Sequence, residues 1–310
     1  MELEKEEKGS AKLLHERAIL VRVVTHSMGN TRTENAVSQE VAQIHGGDAQ
    51  QMGKYVKNLF APSALAPITT AKNQIISFVS RITASPWGRD GWHMLPIKSF
   101  GEYREGVATL LTSYESAVNR FVENYEKHVE QAKQILGNLF DPLEYPSSEE
   151  IRNRFYLEPK LMPIPHEDVF AKLCTEITEE EITELKKKVL DENRGELEAG
   201  MKYVWQRLYD YIKRISDKLN APNRVNKHGE TMPAIFHKTM LENLQELCPM
   251  LTRMNITNDP KLEELRQELQ SSILCQSTAE KLREDFIERE EARKKADELL
   301  GKIGHILSDK

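Results

Sequence analysis

Three stretches of the chain bring together residue types able to do chemistry. The first is Trp87-Gly88-Arg89-Asp90-Gly91-Trp92-His93, where two indoles and neighbouring cations share a glycine-flexed loop. Indoles stack on exposed bases while cations meet phosphates, the arrangement that single-strand nucleic-acid binders use. Joined by Arg22, Arg32, Lys54, Lys57, Arg81 and Lys98, the residues Trp87, Arg89, Trp92 and His93 form a candidate nucleic-acid-binding set. A plainer reading carries more weight: both tryptophans plug the junction between a short sheet and the helices, as large aromatics usually do.

The second stretch is Leu157-Glu158-Pro159-Lys160 with Asp141 upstream. Two carboxylates and a lysine are the set with which metal-dependent nucleases bind Mg²⁺ and activate water. Pro159 argues against a central strand there, and such combinations arise readily in a chain with 30% charged residues. The third, Gly47 to Tyr55, echoes a phosphate-binding loop. Its spacing is one residue too long, and Tyr55 after Lys54 cannot ligate magnesium as Ser or Thr does. No H-E-x-x-H run or nucleophile elbow occurs, and the nine histidines are scattered singly. Cys174, Cys248 and Cys275 have no metal-ligand spacing and read as reduced, packed thiols. No catalytic residue, metal ligand or cofactor is therefore assigned, and a metal nuclease is the weakest of the functional readings.

The elements that must position these residues are mostly helical. Ala18 to Thr25 is β-branched and predicts a strand that pairs with a distant segment. Helices are expected near 34–45, 49–60 and 69–84, followed by the tryptophan loop and a second short extended segment. Ser99-x-x-Glu102 is a capping-box pattern, and Val107, Leu111, Tyr114, Val118, Phe121, Tyr125, His128, Ala132, Ile135 and Leu139 continue from it at alternating spacings of four and three. That seam predicts a helix over about 100–136, with His128 as a polar register-setting residue. Thr178-x-x-Glu181 opens a second helix reaching about 219, with Asn193-Arg194-Gly195 as its weak point. A proline-rich return between the two, capped at Ser147-x-x-Glu150, would let them pair antiparallel. Further helices are expected near 232–247, 260–274 and 279–302, the last with an apolar stripe thin enough to lie on the surface or to join a partner.

The expected fold is thus mainly α with a small β element (α+β): a long antiparallel helix pair with a small N-terminal sheet and short helices. The expected organisation is a charged leader over 1–17, an α+β region with the tryptophan loop over 18–98, a helical hairpin over 99–219 and a C-terminal helical region over 220–310. The net charge of −6 is unevenly placed, because residues 11–105 hold eleven Lys and Arg against seven acids. A basic N-terminal face for phosphates and an acidic helical remainder are compatible with this. No apolar run predicts a signal peptide or a membrane span, so the expected location is the cytoplasm of a bacterial or infected cell.

Several motifs together resemble a known family. The strand Ile19-Leu20-Val21, the loop Pro86-Trp87-Gly88-x-Asp90-Gly91-x-x-Met94-Leu95-Pro96, Tyr103, and Tyr145-Pro146-Ser147-x-Glu149-Glu150-Ile151-Arg152-x-Arg154-Phe155 are similar to the phage and mobile-element family called domain of unknown function 3150. The likeness spans about residues 18–219. It implies an accessory protein working beside a MoxR-type AAA+ ATPase or a von Willebrand A protein, or a role in DNA metabolism, and it supplies no catalytic residues. The leading expectation is a non-enzymatic assembly module that binds itself as a homo-oligomer or binds such an ATPase. The alternative is a single-stranded DNA-binding protein of phage DNA metabolism or recombination.

Overall fold

A computed structural model describes residues 14–88, 90–166, 178–221, 224–225, 231–232 and 236–309. The chain is mainly helical with a small antiparallel sheet. In chain order the elements begin with a short helix α1 (Leu14–Arg17), strand β1 (Ala18–His26), strand β2 (Thr31–Thr33), helix α2 (Asn35–Ile44), strand β3 (Val56–Asn58) and helix α3 (Pro62–Ile82). Strands β4 (Ser85–Trp87) and β5 (Trp92–Pro96) follow, then helices α4 (Phe100–Glu123), α5 (Tyr125–Leu136) and α6 (Ser148–Arg152), and strand β6 (Tyr156–Pro163). The remainder is α7 (Glu179–Leu219), β7 (Arg224–Val225), β8 (Thr231–Met232), α8 (Lys238–Met254), α9 (Pro260–Ser271), α10 (Ile273–Gln276), α11 (Lys281–Glu284) and α12 (Phe286–Asp309).

The predicted strand at 18–25 finds its distant mate in β5: the two are antiparallel, with Ala18 opposite Pro96 and Val21 opposite His93. β4 and β5 form a hairpin with Trp87 opposite Trp92, and the sheet order is β4-β5-β1-β6. Pro159 therefore sits on an edge strand, where its missing N–H costs no ladder bond to a further strand. A separate ribbon pairs β2 with β3, Arg32 opposite Lys57. This ribbon replaces the helix expected over 49–60. Asp48 does cap a turn, accepting from the Gln50 N–H at 2.8 Å, but Gly53 at φ +100° diverts the backbone and the chain leaves it extended.

Two compact units are defined by contact and not by chain order. Unit 1 comprises residues up to Arg22, Ser80–Gly101 and Leu161–Lys310; unit 2 comprises Val23–Val79 and Glu102–Lys160. The two long helices expected to pair lie in different units. The mate of α7 is α12, the charged C-terminal helix, which is thereby a structural partner within the chain. Spacing explains the match: α7 buries Leu197, Met201, Val204, Trp205, Leu208, Ile212, Ile215 and Leu219, while α12 buries Ala292, Ala296, Leu299 and Ile303. The small side chains of the two alanines suit close helix packing, and on α7 the Trp205 side chain is wholly buried. α7 opens on the predicted capping box at Thr178 and Glu181 and runs unbroken through Asn193, whose Nδ2 donates to the Pro165 carbonyl at 2.8 Å. Among these described helices none is long and apolar enough to cross a membrane.

Unit 2 is organised by the heptad seam of α4 and α5, which a single residue, Asn124, separates. Val107, Tyr114, Val118, Phe121, Tyr125 and Ala132 are buried as the spacing predicts, whereas Ile135 is exposed. Phe121 is the centre of an aromatic cluster: the Phe60 and Phe155 rings meet it edge-on at 5.4 Å, and His128 stacks on it at 5.3 Å. Two tyrosine hydroxyls are satisfied on backbone: the buried Tyr125 donates to the Pro146 carbonyl at 2.9 Å and the half-buried Tyr145 to that of Leu59 at 2.8 Å. Burial, Glu126 and Tyr145 together push the Tyr125 pKa up to about 12.

Candidate functional site

The residues proposed for nucleic-acid binding divide between the units. Arg22, Arg81, Trp87, Trp92, His93 and Lys98 belong to unit 1, and Arg32, Lys54 and Lys57 to unit 2; Arg89 lies outside the described residues. Within unit 1 the two indoles are half-buried on the β4–β5 hairpin and pack against the main apolar cluster, as the core-plug reading holds. The hairpin is pinned to α7 at its turn, where the Gly88 N–H donates to Glu196 Oε2 at 3.2 Å. Close packing continues at Gly200 of α7, where an added Cβ would meet Met94 Cε at 2.7 Å and Ser85 Oγ at 2.8 Å. His93 is half-buried and its pKa is lowered by that burial, so it is held neutral and offers no phosphate a fixed charge. Arg81 is exposed but pairs with Glu246 at 3.1 Å. Lys98 is exposed in the 3-10 turn that leads into α4, and Arg22 is half-buried.

In unit 2, Lys57 must be withdrawn from the nucleic-acid set. Its side chain is only 2% exposed, and its ammonium is paired with Glu34 and, at 2.7 Å, with Glu144 Oε2. A third donor direction is used on the Leu139 carbonyl at 2.6 Å. Burial pulls the lysine pKa down, but the hydrogen bonds and charges of Glu144 and Glu34 outweigh it and leave the pKa raised. Strand β3 places the group there: Val56 and Asn58 face out, so Lys57 faces in. This cluster ties the β2–β3 ribbon to the turn after α5, and with both carboxylates on the ammonium it holds no positive charge free for a phosphate. Sequence reasoning missed it because Glu34 and Glu144 are far from Lys57 in the chain. Lys54 is exposed, and the exposed Arg32 donates to the neighbouring Thr31 carbonyl at 3.0 Å.

The nuclease-like residues each have local employment. Asp141 caps the 3-10 turn Pro142–Glu144, accepting from the Leu143 N–H at 3.0 Å. Glu158 is half-buried on β6, where it pairs with Lys160 at 3.2 Å and accepts from the Tyr156 hydroxyl. Among the described residues no group of three or more His, Cys, Asp or Glu side chains is placed to hold a metal ion. The thiols offer more than their sequence spacing indicated: Cys248 and Cys275 lie with their Sγ atoms 3.6 Å apart, while Cys174 lies outside the described residues.

An exposed apolar surface is the remaining feature of unit 2. Val41 and Ile44 on α2, with Met52, Tyr55 and Val56 on the chain that returns beside it, are all left to solvent, Ile44 to 71%. The return path is fixed by backbone bonds: the Glu34 N–H donates to the Tyr55 carbonyl at 2.9 Å, and the Tyr55 N–H to Ser38 Oγ at 2.9 Å. No protein-family model, curated protein or solved structure matches the chain.

Proposed function

We propose that this chain is a non-enzymatic helical interaction module, an accessory of a phage or mobile element that docks on a MoxR-type AAA+ ATPase in the cytoplasm of the cell. The observation that carries the reading is the group of exposed large apolar side chains at Val41, Ile44, Met52, Tyr55 and Val56, on α2 and the segment that returns beside it. Singly scattered apolar residues need no explanation on a protein surface, but several within one short supersecondary unit suit a binding face. The likeness of the Trp87 and Tyr145 motifs to the phage family supports the choice of partner class.

The test is pulldown of a MoxR-type AAA+ ATPase, with light scattering to record self-association. The wild type should retain the ATPase, and an Ile44→Asp, Val56→Asp variant with an unchanged helical spectrum should lose it. A strictly monomeric wild type that ignores the ATPase sinks the reading. Binding to labelled single-stranded oligonucleotides that weakens steeply with salt would put a strand-binding protein in its place.

A further inference from the structure

The thiol pair of unit 1 lies outside that reading and is independent of it. Cys248 sits on α8 at 2% exposure, inside the apolar cluster, while Cys275 on α10 is half-buried and reachable by solvent. Their sulfurs are 3.6 Å apart, and Gln245 Nε2, one turn before Cys248, donates to the Cys275 carbonyl at 2.8 Å and so holds the two short segments in register. Arg266 on α9 contributes positive charge near Cys248; its own guanidinium is held by Glu263 at 2.6 Å and Gln270 at 2.5 Å. Two thiols packed only as small hydrophobes have no need of sulfur-to-sulfur contact or of a neighbouring guanidinium.

We propose that Cys248 and Cys275 are a redox-sensitive dithiol that a small hydroperoxide converts into an intrachain disulfide, fastening α8 to α10. Closing the gap from 3.6 Å to a bond of about 2 Å brings the sulfurs nearer by only about 1.5 Å. The hydrogen bond from the Cys275 thiol, reinforced by Arg266 against the cost of burial, lowers the Cys248 pKa, and the same bond together with burial raises that of Cys275. Cys248 is thus the thiolate of the pair and the sulfur that attacks the oxidant, and Cys275 is the thiol that resolves the product. The Cys248 thiolate attacks a peroxide oxygen; the O–O bond breaks, hydroxide leaves from hydrogen peroxide, and Cys248 becomes a sulfenic acid. Cys275 Sγ then attacks that sulfur, the S–O bond breaks, and the departing hydroxide takes the Cys275 proton as water. One peroxide is reduced while two thiols become one disulfide.

The test uses the full reduced chain treated with stoichiometric hydrogen peroxide, followed by alkylation of remaining thiols, tryptic digestion and mass spectrometry. The expected product joins Thr239–Arg253 to Gln267–Lys281. Dithiothreitol should reverse it, and the oxidised protein should melt several degrees higher because the closed loop restricts the unfolded chain. In Cys275→Ser, Cys248 should halt at sulfenic acid and be trapped by dimedone. Recovery of both wild-type thiols as alkylated free cysteines, irreversible sulfinic acid without the cross-link, or a cross-link to Cys174 overturns the proposal. The wild-type mapping decides the question even if the serine variant does not fold.

Discussion

Lys57 shows how a residue that reads as a surface cation becomes a structural centre. Its ammonium is buried between Glu34 and Glu144, so Lys57→Met would leave two part-buried carboxylates without a counter-charge. The expected loss is about 3–5 kcal/mol of stability in a denaturant melt followed by tyrosine absorbance. Restoring neutrality with Glu34→Gln and Glu144→Gln in the same chain should recover most of it. A pH series adds a signature. Because the folded pKa is raised, the stabilisation is fully present below the unfolded lysine value of about 10.4 and is lost as pH rises through the higher folded value. This cluster should therefore contribute no slope between pH 7 and pH 9, and a falling slope only in strong alkali; a decline near neutrality would contradict the assignment. Gly200 is the opposite case, a residue needed for having no side chain. Gly200→Ala gains about 1 kcal/mol of helix propensity but meets buried Met94 and Ser85 at under 3 Å. Overpacking costs about 1–3 kcal/mol, so the net effect should be a loss of about 1 kcal/mol. In a double-mutant cycle, Met94→Ala should relieve that loss, because the new methyl enters the space vacated. Independence of the two substitutions would refute the contact.

At the scale of elements, legibility followed the range of the interactions that decide each one. Capping boxes at Ser147 and Thr178 and the seam from Val107 to Ala132 are local patterns, and both caps and most of the seam fold as read. Strand β3 was not legible. Three residues alternating out, in, out around Lys57 are too short for periodicity, and the side chain facing inward is charged, so only its distant carboxylates reveal the pattern. The choice of α12 over α4 as the mate of α7 was equally hidden, since a stripe of Ala292, Ala296, Leu299 and Ile303 scores as weakly amphipathic although alanines allow the closest approach. The tryptophan loop could be read as stacking platform or core plug, and the half-buried indoles against the apolar cluster favour the plug. Trp87→Ala and Trp92→Ala should each cost about 2 kcal/mol, less than a fully buried tryptophan would, measured by urea unfolding monitored by circular dichroism. Full stability in both variants would return the loop to the surface-binding reading.

At the scale of the whole molecule, the division into units sets what can be removed. Residues 220–310 look like a separable appendage in a linear reading, yet they supply α8 and α12 to the same unit that holds the tryptophan hairpin and α7. Val204, Trp205, Leu208, Ile212 and Ile215 are at most 1% exposed in the complete fold. At about 2 kcal/mol of burial for each such side chain, uncovering the stripe forfeits on the order of 10 kcal/mol, comparable to the 5–15 kcal/mol that stabilises a whole domain. A chain ending at Leu219 should therefore lose unit 1 as a cooperative structure, bind a hydrophobic dye, and exchange the amide hydrogens of 80–101 and 197–219 rapidly. Unit 2 keeps its own core around Phe60, Phe121 and Phe155 and its Lys57 cluster, all within residues that the truncation leaves in place. Its amides, over α4 and α5 in particular, should stay protected in the same exchange experiment. Protection retained on α7 would mean that its buried stripe can be satisfied without α12, and uniform loss across both units would mean that unit 2 does not stand on its own core.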